Sequence, residues 1–309
     1  MTSRFRAYLE LTRPANVVTA FADILAGFAA ATALNLSIRV ADGLVVAEGP
    51  ESLGPQALIA LLAATAGLYA GGVVLNDFFD ADLDALERPE RPIPSGRVTR
   101  MSAGVFGTAL LAFGIASAAY VSLTSLLVAV AVAVLVVIYD AQGKHHPFLG
   151  PINMGMCRGG NLLLGVSAAP AVLGELWFLS LLPIAYIGAV TAVSRGEVHG
   201  GSGAAGILAI VLAGSVAAAL LLLGIRTGYR TAHALPFVTL FVLLIFPAFL
   251  RAATQPSPDV IRRAVKWGVL SLIVVDASLA AGFAGWPTGL TVLALLPISI
   301  GLARIFAVT

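Results

Sequence analysis

Asn76-Asp77-Phe78-Phe79-Asp80-Ala81-Asp82-Leu83-Asp84 runs almost directly into Glu87-Arg88-Pro89-Glu90-Arg91-Pro92-Ile93-Pro94-Ser95-Gly96. Six of the 16 acidic residues of the chain, Asp77, Asp80, Asp82, Asp84, Glu87 and Glu90, lie in this stretch. It separates two apolar runs, 56–76 and 102–121. At about 100° per residue, Asp77, Asp80 and Asp84 fall within roughly 60° of one another on a helix, and Asp82 points about 140° away from Asp77. Three carboxylates on one stripe repel unless cations sit between them. Carboxylate-rich sites suit hard ions, and Mg²⁺ in particular is held by a few carboxylates together with substrate phosphates. Arg88 and Arg91 follow within two turns, and a guanidinium fork matches phosphate oxygens. Pro89, Pro92 and Pro94 end the helix and stiffen what comes after it.

The surroundings of this stretch are oily. The chain has 309 residues, of which 59% are hydrophobic and 11% charged, with a mean hydropathy of +0.97. A soluble domain would be near a quarter charged, and several apolar runs here approach the ~20 residues that cross hydrocarbon. The composition therefore predicts an all-α integral membrane protein, with one domain over 1–309. Helices are predicted at 15–34, 56–76, 102–121, 123–140, 151–172, 175–193, 204–224, 232–250, 262–284 and 288–306. A short interfacial helix, Phe5 to Leu11, precedes them. The net charge of +2 carries no nucleic-acid signal, because the basic residues sit at loops. The single Cys157 excludes an internal disulfide. No cleaved signal peptide is expected at the start, where Arg4, Arg6, Glu10 and Arg13 interrupt the first residues.

Lys and Arg set the orientation. Alternate loops hold Arg4, Arg6, Arg13; Arg88, Arg91, Arg97, Arg100; Lys144; Arg195; Arg251, Arg262, Arg263, Lys266; and Arg304. The other side holds Arg39, Arg226 and Arg230. This asymmetry predicts that both termini and the acidic stretch are cytoplasmic, in a membrane of the bacterial inner-membrane type. The segment 35–55, with Asp42, Glu48 and Glu51, is then an external loop with no evident function.

The motif Asn76-Asp77-x-x-Asp80-x-x-x-Asp84, with Arg91-Pro92 and Pro94-Ser95-Gly96 behind it, resembles the signature of the UbiA superfamily of intramembrane prenyltransferases. The resemblance implies a polytopic bundle of nine to ten transmembrane helices around a central cavity opening to the cytoplasmic side. It also implies Mg²⁺-assisted binding of a prenyl diphosphate, ionisation to an allylic cation, and capture by a small-molecule acceptor. Asn76 and the carboxylates of Asp77, Asp80 and Asp84 are then the first half of the site, with Arg88 and Arg91 against the phosphates.

Superfamily members carry a second acidic motif after the sixth helix. In the matching place this chain has Ser194-Arg195-Gly196-Glu197-Val198-His199-Gly200-Gly201, a departure that resembles the wording of the EboC-type branch. Glu197 is available to the metal. His199 is a ligand, a donor to diphosphate or a general base, or else a helix cap; Arg195 is placed to neutralise phosphate. The family's Arg-Pro-x-Asn entry to its first helix is matched by Arg13, Pro14 and Asn16, which puts Asn16 near the diphosphate.

Polar groups inside hydrocarbon are costly and are functional candidates by default. Asp23 lies seven residues after Asn16 and shares its face; it steers the acceptor or is satisfied by a neighbouring helix. The family often has a Tyr and a Lys where Tyr139 and Lys144 end the fourth helix, so Lys144 is a diphosphate contact or a snorkelling surface lysine. Arg158 and Asn161 share a face of the fifth, and Arg158 takes the diphosphate or pairs with Asp23 or Asp276. Two other activities fit parts of this pattern. One is a terpene cyclase closing the same cation on its own chain; the other is an ion-coupled transporter using Asp23, Arg158 and Asp276.

Overall fold

The structure, a computed structural model, describes residues 3–41, 54–146, 148–197, 200–225 and 228–306. His199 lies outside the described residues, as do Asp42, Glu48 and Glu51 of the expected external loop. Among the described residues every regular element is helical. The α-helices are α1 (Ser3–Thr12), α2 (Pro14–Ala41), α3 (Pro55–Phe79), α4 (Ala81–Glu87), α5 (Arg100–Val121), α6 (Leu123–Ala141), α7 (Leu149–Val166), α8 (Leu173–Leu176), α9 (Leu181–Ser194), α10 (Gly203–Leu222), α11 (Thr231–Thr254), α12 (Pro258–Ala284), α13 (Trp286–Leu293) and α14 (Leu295–Leu302).

Among the described residues eight helical stretches are long and apolar enough to cross a membrane, from Arg4–Ser37 to Pro258–Ala284. Phe113 on α5, Leu127 on α6 and Leu243 on α11 are exposed on their outer faces, as expected of side chains in contact with lipid. Helix is found in each of the ten predicted spans, though 151–172, 175–193 and 288–306 are not continuous α-helices, and two of the ten fall outside these eight. The first is α7, which carries Asn153, Arg158 and Asn161 and packs against α2, α6 and α9. Its neighbours, not lipid, surround its polar groups, so it needs no uniform apolar surface. The other is the last predicted span, which is two short helices broken at Ala294. Pro297 favours the break, because it has no N–H for the Leu293 carbonyl and its ring crowds that oxygen, a cost that α11 bears at Pro247 without breaking. Pro183 acts likewise at the start of α9, where the preceding residues, Trp177–Ser180, form a 3-10 turn.

Close packing of α2 on α7 positions the deepest polar groups. A Cβ on Gly27 would sit 2.2 Å from the Leu162 carbonyl oxygen, and one on Gly165 would sit 2.5 Å from that of Ile24. Backbone atoms cannot yield as a flexible side chain can. Gly165→Val is therefore expected to lower the melting temperature in detergent, by a destabilisation of roughly 1–3 kcal/mol or more. A melting curve unchanged from wild type would contradict this reading of the contact.

Candidate active site

The acidic stretch straddles a helix junction. α3 ends at Phe79, Asp80 caps it with φ −85° and ψ 2°, and α4 begins at Ala81. The hydrogen-bond ladder nevertheless continues: Asp80 N–H donates to Asn76 O (2.9 Å), Asp84 N–H to Asp80 O (2.8 Å) and Arg88 N–H to Asp84 O (2.8 Å). The i, i+4 spacing thus survives the junction, so the stripe keeps its register. Asp77 and Asp84 are buried, while Asp82 faces outward and pairs with Arg100 at 3.0 Å.

Basic side chains of the chain itself lie among the buried carboxylates. Arg91 Nη1 stands 2.7 Å from Asp84 Oδ2 and 3.3 Å from Asp77 Oδ1. Arg13 Nη2 reaches the same Asp77 oxygen at 2.7 Å. Lys144 Nζ lies 2.6 Å from Asp80 Oδ1, and Asn76 donates to Asp140 Oδ1 at 3.0 Å. Arg13 joins α1 to α2 with φ +43°, in the left-handed region that costs a bulky residue roughly 1–2 kcal/mol; this turn accompanies its reach across to α3. Neither Arg13 nor Asp140 stood among the expected site residues, although Arg13 opens the Arg-Pro-x-Asn entry. Asp140 gave no signal beyond lying beside Tyr139.

A cavity of about 400 Å³ opens beside the stripe. Its mouth is bordered by Asp80, Asp84, Glu87, Arg88, Arg91 and Glu197; Asn16, Asn76, Tyr139, Arg158 and Asn161 also line it. Leu68, Gly72, Val73, Val132 and Val136, from α3 and α6, form an apolar wall. Asp77 borders instead an adjoining polar chamber of about 540 Å³, which shares Arg13, Glu87, Arg88, Arg91 and Glu197 with the first. Lys144 and Asp23 contact lining residues or their partners without lining the cavity themselves.

Two loops distant in sequence meet at this mouth. Glu197, just beyond α9, lines both chambers, and its Oε1 is buried with no hydrogen-bond partner among the described residues. Burial pushes its carboxyl up from the ordinary range, opposed by Arg88 and Arg262. Arg195 turns elsewhere: its Nη2 donates to the His146 carbonyl at 2.6 Å and it lines neither chamber. Asp80, Asp84 and Glu197 line the same cavity, and carboxylate oxygens are the ligand type that suits a hard divalent cation sharing its shell with phosphate oxygens. Among the described residues no three His, Cys, Asp or Glu side chains stand close enough together to hold a metal ion by themselves, so a cation here would need phosphate oxygens as well.

Beneath the cavity is a second polar layer. Asn161 Nδ2 donates to Asp23 Oδ2 at 2.7 Å and to the Ala20 carbonyl at 2.9 Å, while Thr65 donates to Asn161 Oδ1 at 2.6 Å. Arg158 Nε stands 3.2 Å from Asp23 Oδ2, so of the two carboxylates expected to pair with Arg158 it is Asp23 that does so. Asp276 on α12 is fully buried beside Asp23.

A sequence model of the UbiA prenyltransferase family matches residues 36–270 of the chain. Among curated relatives, the digeranylgeranylglyceryl phosphate synthase of Methanopyrus kandleri is 32% identical over 176 residues, covering 57% of this chain and 58% of the relative. That of Methanothermobacter thermautotrophicus is 28% identical over 254 residues, covering 80% and 83%. The aligned part thus spans less than two thirds of the length of the first of these relatives. In fold, the chain is similar to the apo structure of a UbiA homolog from Aeropyrum pernix K1, with TM-score 0.64, 20% identity, and 84% and 96% of the two chains covered. It is also similar to a UbiA homolog from Archaeoglobus fulgidus bound to GPP and Mg²⁺, with TM-score 0.53, 16% identity, and 93% and 99% covered. These likenesses and the apolar helices identify an integral membrane protein.

Proposed function

The chain belongs to the UbiA prenyltransferase family, and we propose that it ionises a prenyl diphosphate and transfers the prenyl group to a small acceptor, residues 1–309 acting as one unit. One observation carries this reading. A single cavity has carboxylates and arginines from two separated loops at its mouth and an apolar wall behind them.

In this reading the diphosphate sits at the mouth and the hydrocarbon tail lies along the α3–α6 wall. Asp80, Asp84 and Glu197 would hold Mg²⁺, with Asp77 acting through Arg13 and Arg91. When bound, the cation draws charge from the leaving diphosphate and screens these carboxylates. Arg13, Arg88 and Arg91, which line both chambers, would face the phosphate oxygens, with Lys144 beside them on Asp80. Together they stabilise the negative charge that grows as the C1–O bond breaks and its electron pair leaves with pyrophosphate. Asn76, held by Asp140, and Asn16 position the phosphates, and Tyr139 closes the same side. The cation left on C1 is kept from water by Leu68, Val73, Val132 and Val136. The acceptor's nucleophilic atom bonds to C1 and gives up its proton to the departing pyrophosphate or to water at the mouth. The Lys and Arg asymmetry supports a cytoplasmic mouth, in a membrane of the bacterial inner-membrane type.

The test uses the purified protein with prenyl diphosphates of several lengths and an acceptor panel, with and without Mg²⁺. Pyrophosphate and acceptor-linked lipid are expected only with metal. Hydrocarbon or alcohol products without acceptor would instead make the protein a cyclase. Absence of pyrophosphate with every donor would overturn both readings in favour of ion-coupled transport.

The apolar wall also predicts donor selectivity. A Cβ on Gly72 would come within 2.7 Å of Val136 Cγ1, so bulk added there intrudes on the tail. For Gly72→Val, kcat/KM for the longest accepted donor is expected to fall about tenfold relative to a donor one isoprene unit shorter. Equal effects on both lengths would place the tail elsewhere.

A further inference from the structure

A larger groove, of about 930 Å³, lies at the other end of the bundle and shares no lining residue with the catalytic cavity. Leu25, Phe28 and Leu36 of α2, Leu58 of α3, Phe283 of α12 and Val292 of α13 give it apolar walls. Asn16 and Val269 line the catalytic cavity, whereas Leu25 and Phe283, on the same two helices, line the groove. Between them lie Asp23 on α2 and Ile273 and Asp276 on α12, all fully buried, so the two spaces are separate. From Leu58 to Phe79, beside the catalytic mouth, α3 rises about 32 Å at ~1.5 Å per residue, close to the ~30 Å of a bilayer's hydrocarbon. α12 agrees: Arg262 near its start lines the polar chamber at the mouth, and Phe283 near its end lines the groove. The groove therefore faces the leaflet opposite the mouth.

The hydroxyl groups along the groove are already engaged. Thr32 donates to the Phe28 carbonyl at 2.8 Å, Ser37 to that of Ala33 at 2.9 Å, Thr288 to that of Ala284 at 3.2 Å and Thr291 to that of Pro287 at 3.1 Å. Each bond stays within its own helix, so these walls offer no O–H to a polar ligand and suit a hydrocarbon chain. Arg230 is the exception. It lines the groove, is exposed, and has no ion-pair partner among the described residues. Its backbone is fixed, because its N–H donates to the Gly282 carbonyl at 2.8 Å. The ring of Tyr229, next to it, packs edge-on against Phe283 with centroids 5.0 Å apart. A guanidinium held at the rim of an apolar groove, at a membrane surface, matches the phosphate of a lipid whose chains occupy the groove. A zwitterionic headgroup brings a cation that the guanidinium repels, and an anionic headgroup does not.

We propose that this groove is a binding site for an anionic phospholipid, with the phosphate on Arg230 and acyl chain between α2 and α13. The lipid is neither donor nor acceptor, since a wall of buried side chains parts it from the catalytic cavity. It fills the space that α2, α12 and α13 leave open, and by binding the folded chain it stabilises the bundle.

The test is lipid binding by the full-length protein in detergent, followed by native mass spectrometry. The titrants are palmitoyl-oleoyl phosphatidylglycerol and palmitoyl-oleoyl phosphatidylcholine, which share their chains and differ in headgroup charge. Wild type is expected to bind the phosphatidylglycerol at least about fivefold more tightly, and its melting temperature to rise as that lipid is added. Arg230→Gln is expected to bring the two affinities within about twofold of each other. Ala33→Phe fills the groove from α2 and is expected to weaken both lipids about tenfold or more. Thr291→Trp obstructs the same groove from α13 and serves if Ala33→Phe does not accumulate. Arg100→Gln, at an arginine on the mouth side paired with Asp82, is expected to keep the wild-type preference. Equal binding of the two lipids by wild type, or binding of neither, would overturn the proposal. So would a preference that survives Arg230→Gln, is lost in Arg100→Gln, or is untouched by filling the groove. No turnover enters these measurements, so their failure leaves the transfer reading standing, and the absence of pyrophosphate release leaves them interpretable.

Discussion

Asp80→Ala is expected to reduce metal-dependent pyrophosphate release by about 10²-fold or more while expression stays near that of wild type. Asp80 sits at the α3–α4 junction, borders the cavity and faces Lys144 at 2.6 Å. Its side chain is 18% exposed and that of Lys144 12%, so its loss strands a largely buried ammonium and is expected to lower the melting temperature too; turnover is therefore compared per folded protein. Asp82→Ala supplies the control. That carboxylate lies two residues away but points outward, 88% exposed against Arg100, and its removal is expected to change turnover by no more than about twofold. The comparison is read from initial rates at saturating Mg²⁺ with one donor. If Asp80→Ala were fully active, or if both variants lost activity equally, the assignment of Asp80 to the diphosphate–metal site would be abandoned.

Arg91→Ala is expected to have the second largest effect, on stability as well as turnover. Its Nη1 lies between Asp77 Oδ1 and Asp84 Oδ2, and its side chain is 13% exposed. Without it Asp84 is a buried carboxylate with no ion-pair partner among the described residues, a loss of about 3–5 kcal/mol for a broken buried pair. Loss of the same group from the phosphate site is expected to slow turnover by a further factor on the order of 10²–10³. The double variant Asp84→Asn/Arg91→Ala separates the two effects, because it removes the stranded charge. Its melting temperature is expected to recover most of the loss while turnover stays low. Melting of Arg91→Ala at the wild-type temperature would mean that the pair is not buried as described.

These two side chains also mark how far local reasoning reaches. The register of Asp77, Asp80 and Asp84, and the outward direction of Asp82, follow from helical periodicity over eight residues. That periodicity persists because the hydrogen bonds of Asn76, Asp80 and Asp84 run through the junction. Glu197 was identified through its position in a motif, and its presence at the mouth with Asp80 and Asp84 depends on how α9 packs. Arg195, two residues earlier, was expected to meet phosphate but is held by the His146 carbonyl instead. Nothing local distinguishes the two: both lie in the same turn, and a rotation of that turn decides which faces inward.

Hydropathy, the spacing of charges and the placement of prolines were enough to establish a membrane-embedded helical protein with an acidic stripe at one end, because each acts within a few turns of its own helix. Partner choice was a different matter. Arg13 meets Asp77 across 64 positions and Asn161 meets Asp23 across 138; no periodicity links residues so far apart. Those pairings follow from packing, above all from the glycine contact that lets α7 lie against α2, since a shift of one ångström between backbones determines which carboxylate a buried guanidinium can reach.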